Sequence, residues 1–310
     1  MFGRLLILWL LAMTLPCAAQ AQSQASAQAP DRQFLGWGRL FNNDFIGDGQ
    51  DRWRTGSYAI SVLQGPEWSG SLPQHLGDIL EYRLSAQIVA PSDLIAPDPN
   101  DRRYVGALTF GLHTHADWQG FETSLGADLV VTGPQTGIGR FQTWAHDILS
   151  LPKPDLSNQI GDGFHPTVTA EMGRSITLGS NATFLPFVAA QAGVETYLRV
   201  GGDLVVGSFG QGALMLRDDA TGQRYRGITS DRMPALSLTL GGDVARVFSS
   251  AYLPAGGAAV ASDTRSRLRA GVQWQGQTAS VFYGVTYLAP EYKNQPEGQV
   301  VGSLNVNLRF

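Results

Sequence analysis

The strongest constraint on this chain is a change of polarity at every second residue, repeated in run after run. The last run shows it most cleanly: Val300, Gly302, Leu304, Val306, Leu308 and Phe310 alternate with Ser303, Asn305, Asn307 and Arg309. Leu80, Tyr82, Leu84, Ala86 and Ile88 alternate with Glu81, Arg83, Ser85 and Gln87, and Leu268, Ala270, Val272 and Trp274 with Arg267, Arg269, Gly271 and Gln273. Side chains on a strand point to opposite faces in turn, so each run is a strand with one apolar and one polar face. About twelve runs read this way, near 35–44, 52–63, 79–90, 103–113, 119–132, 164–175, 183–194, 196–208, 235–249, 265–275, 278–288 and 299–310.

Alternation alone does not say which face is inside. A soluble sandwich turns its apolar face inward; a transmembrane barrel turns it outward to lipid and keeps a polar lumen. Three features favour the barrel. The runs are about ten residues long, enough to cross a bilayer when tilted. Several carry charges and glycine together on one face, which suits a crowded polar lumen. The chain ends on Phe310 at the close of an alternating run, like the terminal signal of outer-membrane barrels. Tyr82, Trp274, Tyr283 and Tyr287 are candidates for interfacial aromatic girdles. The expected fold is all-β: an antiparallel transmembrane barrel of about twelve strands, both termini on one side and the long loops near 90–102, 133–163, 209–234 and 250–264 on the other.

The N-terminus points to export. Arg4 precedes the apolar run from Leu5 to Leu15, and Ala19-Gln20-Ala21 follows, as in a cleaved secretory signal peptide. The expected division is a signal peptide over 1–21, a flexible leader over 22–33 and a barrel over 34–310. The only cysteine, Cys17, lies within the signal peptide, so the mature chain has neither disulfides nor cysteine-ligated metal. No later window is apolar over about 18 residues, so no transmembrane helix is expected. With a net charge of −4 the chain has no basic surface for nucleic acid.

Two stretches break the pattern. Phe41–Tyr58 reads FNNDFIGDGQDRWRTGSY and brings Asn43, Asp44 and Thr55 to one end of a hairpin; Asn, Asp and Gly are also ordinary turn residues. After Gly133-Pro134 and the glycines Gly137 and Gly139, Arg140–Leu151 has the spacing of a short helix, ended by Pro152 and Pro154. Gln142 and His146, four apart, project from one helical face. A lone histidine on a short helix is more often structural than catalytic. His113 and His115 share a strand face and form a possible metal pair, though a plain polar face explains them better. No H-E-x-x-H motif, G-x-S-x-G elbow or phosphate loop is present.

In order along the chain, Asn43-Asp44, Asp51-Arg52 with Thr55-Gly56, Gly133-Pro134, Gln142-x-x-x-His146 and Asn158-Gln159-Ile160 resemble the lipid A 3′-O-deacylase family of outer-membrane proteins. The resemblance covers about residues 36 to 175 in motif detail and the remainder as strands. It implies a twelve-stranded barrel whose site lies between the outer wall and a helix in an extracellular loop. It implies removal of the 3′ acyloxyacyl group of lipopolysaccharide, with dependence on calcium. Carried across by motif, the site residues are Asn43, Asp44, Thr55, Gln142 and His146, with His146 as general base on water and Asp44 as a calcium ligand. Asn43, Thr55 or Gln142 would donate to the oxyanion. One departure stands out: the family pattern has Glu six residues after the histidine, where this chain has Pro152.

The resulting expectation is a monomeric hydrolase of the bacterial outer membrane, acting on lipid A of lipopolysaccharide among the surrounding membrane lipids. A non-catalytic barrel, serving as a pore or structural protein on the same scaffold, is the second reading. A secreted β-sandwich is the third.

Overall fold

A computed structural model describes residues 31–229 and 234–308. Those from Arg32 onward form one compact unit. The expected signal peptide, most of the leader and the terminal Phe310 lie outside the described residues.

Hydrocarbon offers no hydrogen-bond partners, so every backbone group of a membrane strand must be paired by a neighbouring strand. The chain meets this demand with twelve long strands: β1 (Gln33–Asn43), β2 (Trp53–Gly65), β3 (Ile79–Ala90), β4 (Val105–Trp118), β5 (Phe121–Thr132), β6 (Gly163–Gly173), β8 (Ala182–Ala192), β9 (Glu195–Val206), β12 (Ala235–Ser250), β13 (Thr264–Gln275), β14 (Ala279–Leu288) and β15 (Gln299–Leu308). Each pairs antiparallel with the next, and β15 returns to β1 through Phe41↔Leu304, Asn42↔Ser303 and Asn43↔Gly302. β6 passes the sheet to β8, and the three-residue β7 (Ile176–Leu178) extends only the edge of β8. The result is a closed twelve-stranded antiparallel β-barrel. No helix among the described residues is long and apolar enough to cross a membrane.

The alternation resolves in the membrane sense. Leu236, Leu238, Leu240, Leu268 and Val272 stand exposed on the outer face, while Asp243, Arg267, Arg269 and Gln273, their neighbours in sequence, are buried in the lumen. Lysine or arginine on a lipid face costs roughly 2–4 kcal/mol at the bilayer midplane, which fixes the polarity of each run. Tyr82, Trp274, Tyr283 and Tyr287 are all on the outer face.

The buried charges are paired. Asp243 takes Arg199, Arg267 and Arg269, with Arg267 Nε 3.0 Å from Oδ1. Glu81, fully buried, accepts from Ser61 at 2.6 Å, Arg83 at 2.7 Å and His115 at 2.8 Å. His113 pairs with Asp128 at 2.9 Å. His113 and His115 thus each serve a different lumenal carboxylate, which accounts for both without a metal.

One loop differs from expectation. Strand parity places the connections after β1, β3, β5, β8, β12 and β14 at one rim, here the helix rim, but the connection from β9 to β12 at the opposite rim. Of the stretch 209–234, expected beside the other long loops, the described part, residues 209–229, instead folds back into the lumen as a hairpin, β10 (Leu214–Arg217) and β11 (Arg224–Ile228). Its apolar residues Leu214, Leu216, Tyr225 and Ile228 pack with Leu40, Leu63 and Phe282 of the wall. Its tip is capped by Asp218, which accepts from the backbone and hydroxyl of Thr221, both at 2.7 Å. Arg217 reaches Glu171 and Asp203, each at 2.8 Å. The contact is close because β1 presents glycine: a Cβ on Gly38 would stand 2.5 Å from the Arg226 carbonyl, and one on Gly36 2.7 Å from that of Gly227.

The hairpin therefore obstructs the path a pore would need. Gly38→Val is expected to expel it while leaving the wall paired. In planar bilayers the variant should show ion conductance that the parent lacks, with heat-modifiable gel mobility confirming a folded barrel. A variant as silent as the parent would show that something other than the hairpin closes the lumen.

Candidate functional site on the outer wall

The turn from β1 to β2 is built around Asp44. Its carbonyl accepts from Gly47 at 2.8 Å and Gly49 at 3.1 Å, and its N–H donates to the Thr55 carbonyl at 3.0 Å. Gly49 takes φ 77°, which favours glycine. At the far end of the turn Trp53 has φ 50°, and the register with β3 shifts between Trp53 and Gly56. This bulge sets two residues against one and re-aims their side chains. Arg54 enters the lumen, where it meets Glu291 at 2.5 Å and Glu195 at 3.2 Å. Thr55 is left free to face Asp44.

The second element is the loop after β5. A short 3₁₀ turn at Pro134–Thr136 leads through Gly137, at φ 73°, into α1 (Ile138–Ile148). The helix starts two residues before the expected Arg140 and ends three before Leu151. It lies on the outside of the barrel. Gly106 of β4 is in register with Ile88, on the same face of β3 as the exposed Tyr82 and Leu84. A Cβ on Gly106 would stand 2.8 Å from Ile138. The residues that α1 buries against the protein are Gly139, Gln142 and His146.

These elements bring Asp44, Thr55 and His146 together, and the residue that joins them is Asp51. Thr55 Oγ1 lies 2.8 Å from Asp44 Oδ1 and 2.5 Å from Asp51 Oδ1. The other oxygen of Asp51 lies 3.2 Å from His146 Nε2. The other oxygen of Asp44 accepts the Arg52 N–H at 2.8 Å. Asp51 belongs to the D-R-x-x-T segment of the sequence but has no role assigned there, because its position between the Thr55 hydroxyl and the His146 ring exists only once the bulge is formed. Asn43 is adjacent but separate: its Oδ1 accepts the Phe45 N–H at 2.9 Å. Asn42, its neighbour, faces the lumen and bonds Ser57 and Ser303. Gln142 is buried on the same helical face as His146, and its Oε1 has no protein partner.

The hydrogen-bond count constrains the charge. Thr55 has one hydroxyl proton and two carboxylate neighbours. The second contact requires either a proton on a carboxyl group or a cation between the carboxylates. Burial, reinforced by the nearby charges of Asp51 and Asp48, pushes the Asp44 carboxyl up to about 8. In the protonated arrangement the Thr55 hydroxyl proton is given to a carboxylate, and with a cation between the carboxylates it is freed from them. Tyr104 stands close by; burial, and then the charge of Asp51, hold its phenol above the usual range.

A family model for the outer membrane protein LpxR matches residues 5–310. The chain belongs to the LpxR family of outer-membrane proteins. The structure of LpxR from Salmonella typhimurium is similar, with a TM-score of 0.74 and 18% identity over 89% of this chain and 100% of that one. The β domain of the Bordetella autotransporter BrkA follows at a TM-score of 0.43 and 12% identity, over 89% of this chain and 99% of that one. No curated protein matches the sequence.

At Pro152, where the resemblance implies Glu, the main chain itself meets the histidine. His146 Nδ1 lies 2.6 Å from the Pro152 carbonyl. A carbonyl only accepts, so Nδ1 carries the proton and Nε2 is the basic nitrogen of the neutral ring. The main chain supplies at position 152 the acceptor that a glutamate side chain would offer. Long-range ¹H–¹⁵N spectra of the neutral His146 ring should show the Nδ1–H tautomer. An Nε2–H tautomer would remove this anchoring.

Proposed function

We propose that this protein is an outer-membrane ester hydrolase that removes an acyl chain from lipid A of lipopolysaccharide, the 3′ acyloxyacyl group being the expected leaving portion. The observation that carries the reading is the chain of contacts Asp44–Thr55–Asp51–His146, held on the outer wall beneath α1 rather than in the lumen. A site there can receive an ester whose acyl chains remain in the bilayer. A cavity of about 80 Å³, by contrast, lies inside the lumen among Arg54, Arg83, Arg265, Glu195 and Glu291.

The chemistry needs a base, an orienting group and a charge to offset the developing oxyanion. His146 Nε2 takes a proton from water as that water attacks the ester carbonyl. The Pro152 carbonyl keeps the ring from turning. Asp51 Oδ2, at hydrogen-bond distance, stabilises the imidazolium that results. The imidazolium then returns its proton to the departing sugar oxygen. The Asn43 amide, its oxygen occupied by Phe45, retains N–H groups to donate to the oxyanion.

The donor set also fits a hard cation. No cluster of three or more His, Cys, Asp or Glu side chains arranged for a metal occurs among the described residues. The available donors are two carboxylates and neutral oxygens, a composition that calcium favours and softer metals do not. Asp44 and Asp51 would hold the ion, with the Thr55 hydroxyl between them; the unpartnered Gln142 Oε1 is a further oxygen on the same side of α1. Bound there, calcium would offset the paired carboxylates and polarise the ester carbonyl.

His146→Ala should lower the rate of acyl release from lipid A in detergent micelles about 10²–10⁴-fold, the usual share of general acid–base catalysis. Asp44→Ala should also lose activity, but raising calcium should restore part of it, and should not do so for His146→Ala. Full activity in His146→Ala would discard the base and the site with it. Protons and the cation compete for Asp44. At limiting calcium, activity should therefore rise as pH increases through about 8, where the carboxyl ionises. Excess calcium should move that rise to lower pH. A profile indifferent to calcium, or an active enzyme that ignores a chelator, would remove the metal from the scheme.

A further inference from the structure

The helix above the site is amphipathic in the wrong sense for a soluble loop. Its polar residues Gln142 and His146 are buried against the barrel, while Phe141 and Trp144 are each 57% exposed and Ile148 is 62% exposed. On a 3.6-residue turn, Phe141, Trp144, Ala145 and Ile148 fall on one stripe. Arg140 and Asp147 lie along one edge of it, and Gly139, Gln142 and His146 are on the far side. The apolar surface continues past the helix through the exposed Leu149 and Leu151, and across the neighbouring loop at Ile95. A backbone hydrogen bond of 2.6 Å from Asp155 to Leu94 ties that loop to the segment after the helix. Phe141 and Trp144 pack on each other at 5.7 Å between ring centroids, which leaves their outer faces bare.

This stripe is continuous with the lipid-facing wall, because α1 sits on the outside of β3 and β4. We propose that the apolar face of α1 lies in the acyl-chain layer of the leaflet surrounding the barrel, as an interfacial helix. The occupant is bulk membrane hydrocarbon, not the substrate's own chains and not a second protein. Charge distribution agrees: Arg140 and Asp147 share one edge, and Asp147 is neutralised by Lys153 at 2.8 Å, so the polar edge keeps one positive charge at Arg140, the sign that suits anionic headgroups. Aromatic residues with aliphatic neighbours are the usual composition of such a face. The helix then roofs the site from the membrane side, so an ester would reach His146 laterally, along the wall, rather than from water. This placement does not depend on ester cleavage at the site.

The test uses the mature chain, which has no cysteine after Cys17. Trp144→Cys and Ile148→Cys are each spin-labelled in the full barrel, reconstituted in phosphatidylcholine vesicles free of lipopolysaccharide. Leu240→Cys, on the exposed outer wall, reports lipid, and Asp155→Cys, in the polar loop, reports water. Accessibility is read as the ratio of collisions with oxygen to collisions with a water-soluble nickel chelate. Labels at 144 and 148 should match the Leu240 control within about a factor of two and exceed the Asp155 control severalfold, while a label at Asp147→Cys should fall between. Water-like values at both 144 and 148 would overturn the proposal. So would burial that appears only after lipopolysaccharide is added, since the occupant would then be the substrate. Heat-modifiable mobility confirms that each labelled barrel is folded. Having two independent positions keeps the test decisive if one variant fails to insert. An unlabelled parent that releases no acyl chain from lipid A, together with lipid-like labels, would refute the proposed function and leave the helix placement standing.

Discussion

An unpaired backbone N–H or C=O facing hydrocarbon costs several kcal/mol, and a membrane strand carries a whole row of them. The short seam between β1 and β15 is the consequence, since it removes the last free edge. Once the sheet is closed, each strand has a lipid side and a lumen side, and the inner face must hold every polar residue that alternation puts there. Asp243 with its three arginines and Glu81 with Arg83 and His115 are solutions to that crowding. Removing a single partner from such a set leaves an uncompensated buried charge, a larger loss than the pair's own net contribution.

The same constraint decides where chemistry can occur. A lumen filled by a hairpin and ion pairs is a poor place for the lipid substrate proposed above. The outer wall is chemically inert over most of its height because it must be apolar. Only at the helix rim, where the strands end, can carboxylates and an imidazole sit outside the barrel beside lipid. The bulge at Trp53–Gly56 makes this possible by separating two neighbouring residues: Arg54 joins the lumenal network and Thr55 joins the site. Local irregularity in β2 is thus what connects the lumenal charge network to the candidate site on the exterior.

Much of this was legible in the residues. Strand positions follow from alternation because the period of two is enforced on both faces at once, and the twelve runs fall on the twelve wall strands with shifts of a few residues at the ends. The sign of the alternation was harder, since a sandwich and a barrel write the same pattern; charge density and run length decided it. The helix and the pairing of Gln142 with His146 came from spacing. Three things were not readable. The hairpin at 214–228 is too short and too mixed to announce itself, and its burial depends on glycines of β1 far away in sequence. Asp51 became central only through a bulge, which leaves no clear mark in composition. The support of His146 by Pro152 runs through a carbonyl, and main-chain acceptors are the same at every position.

The inner hairpin has a mechanical side as well. It hangs between β9 and β12 but rests on Gly36 and Gly38 of β1, and Tyr225 shares a hydrogen bond of 3.1 Å with Ser61 of β2. It therefore spans the bore as a strut, joining strands on opposite sides of the cylinder. An empty tube of twelve strands flattens under uneven lateral pressure from the bilayer; a tube with a cross-member resists becoming oval. The strands that this strut braces are β1 and β2, which carry Asn43 and Thr55 at their far ends. The geometry of the candidate site on the outside is in this way held to shape from within.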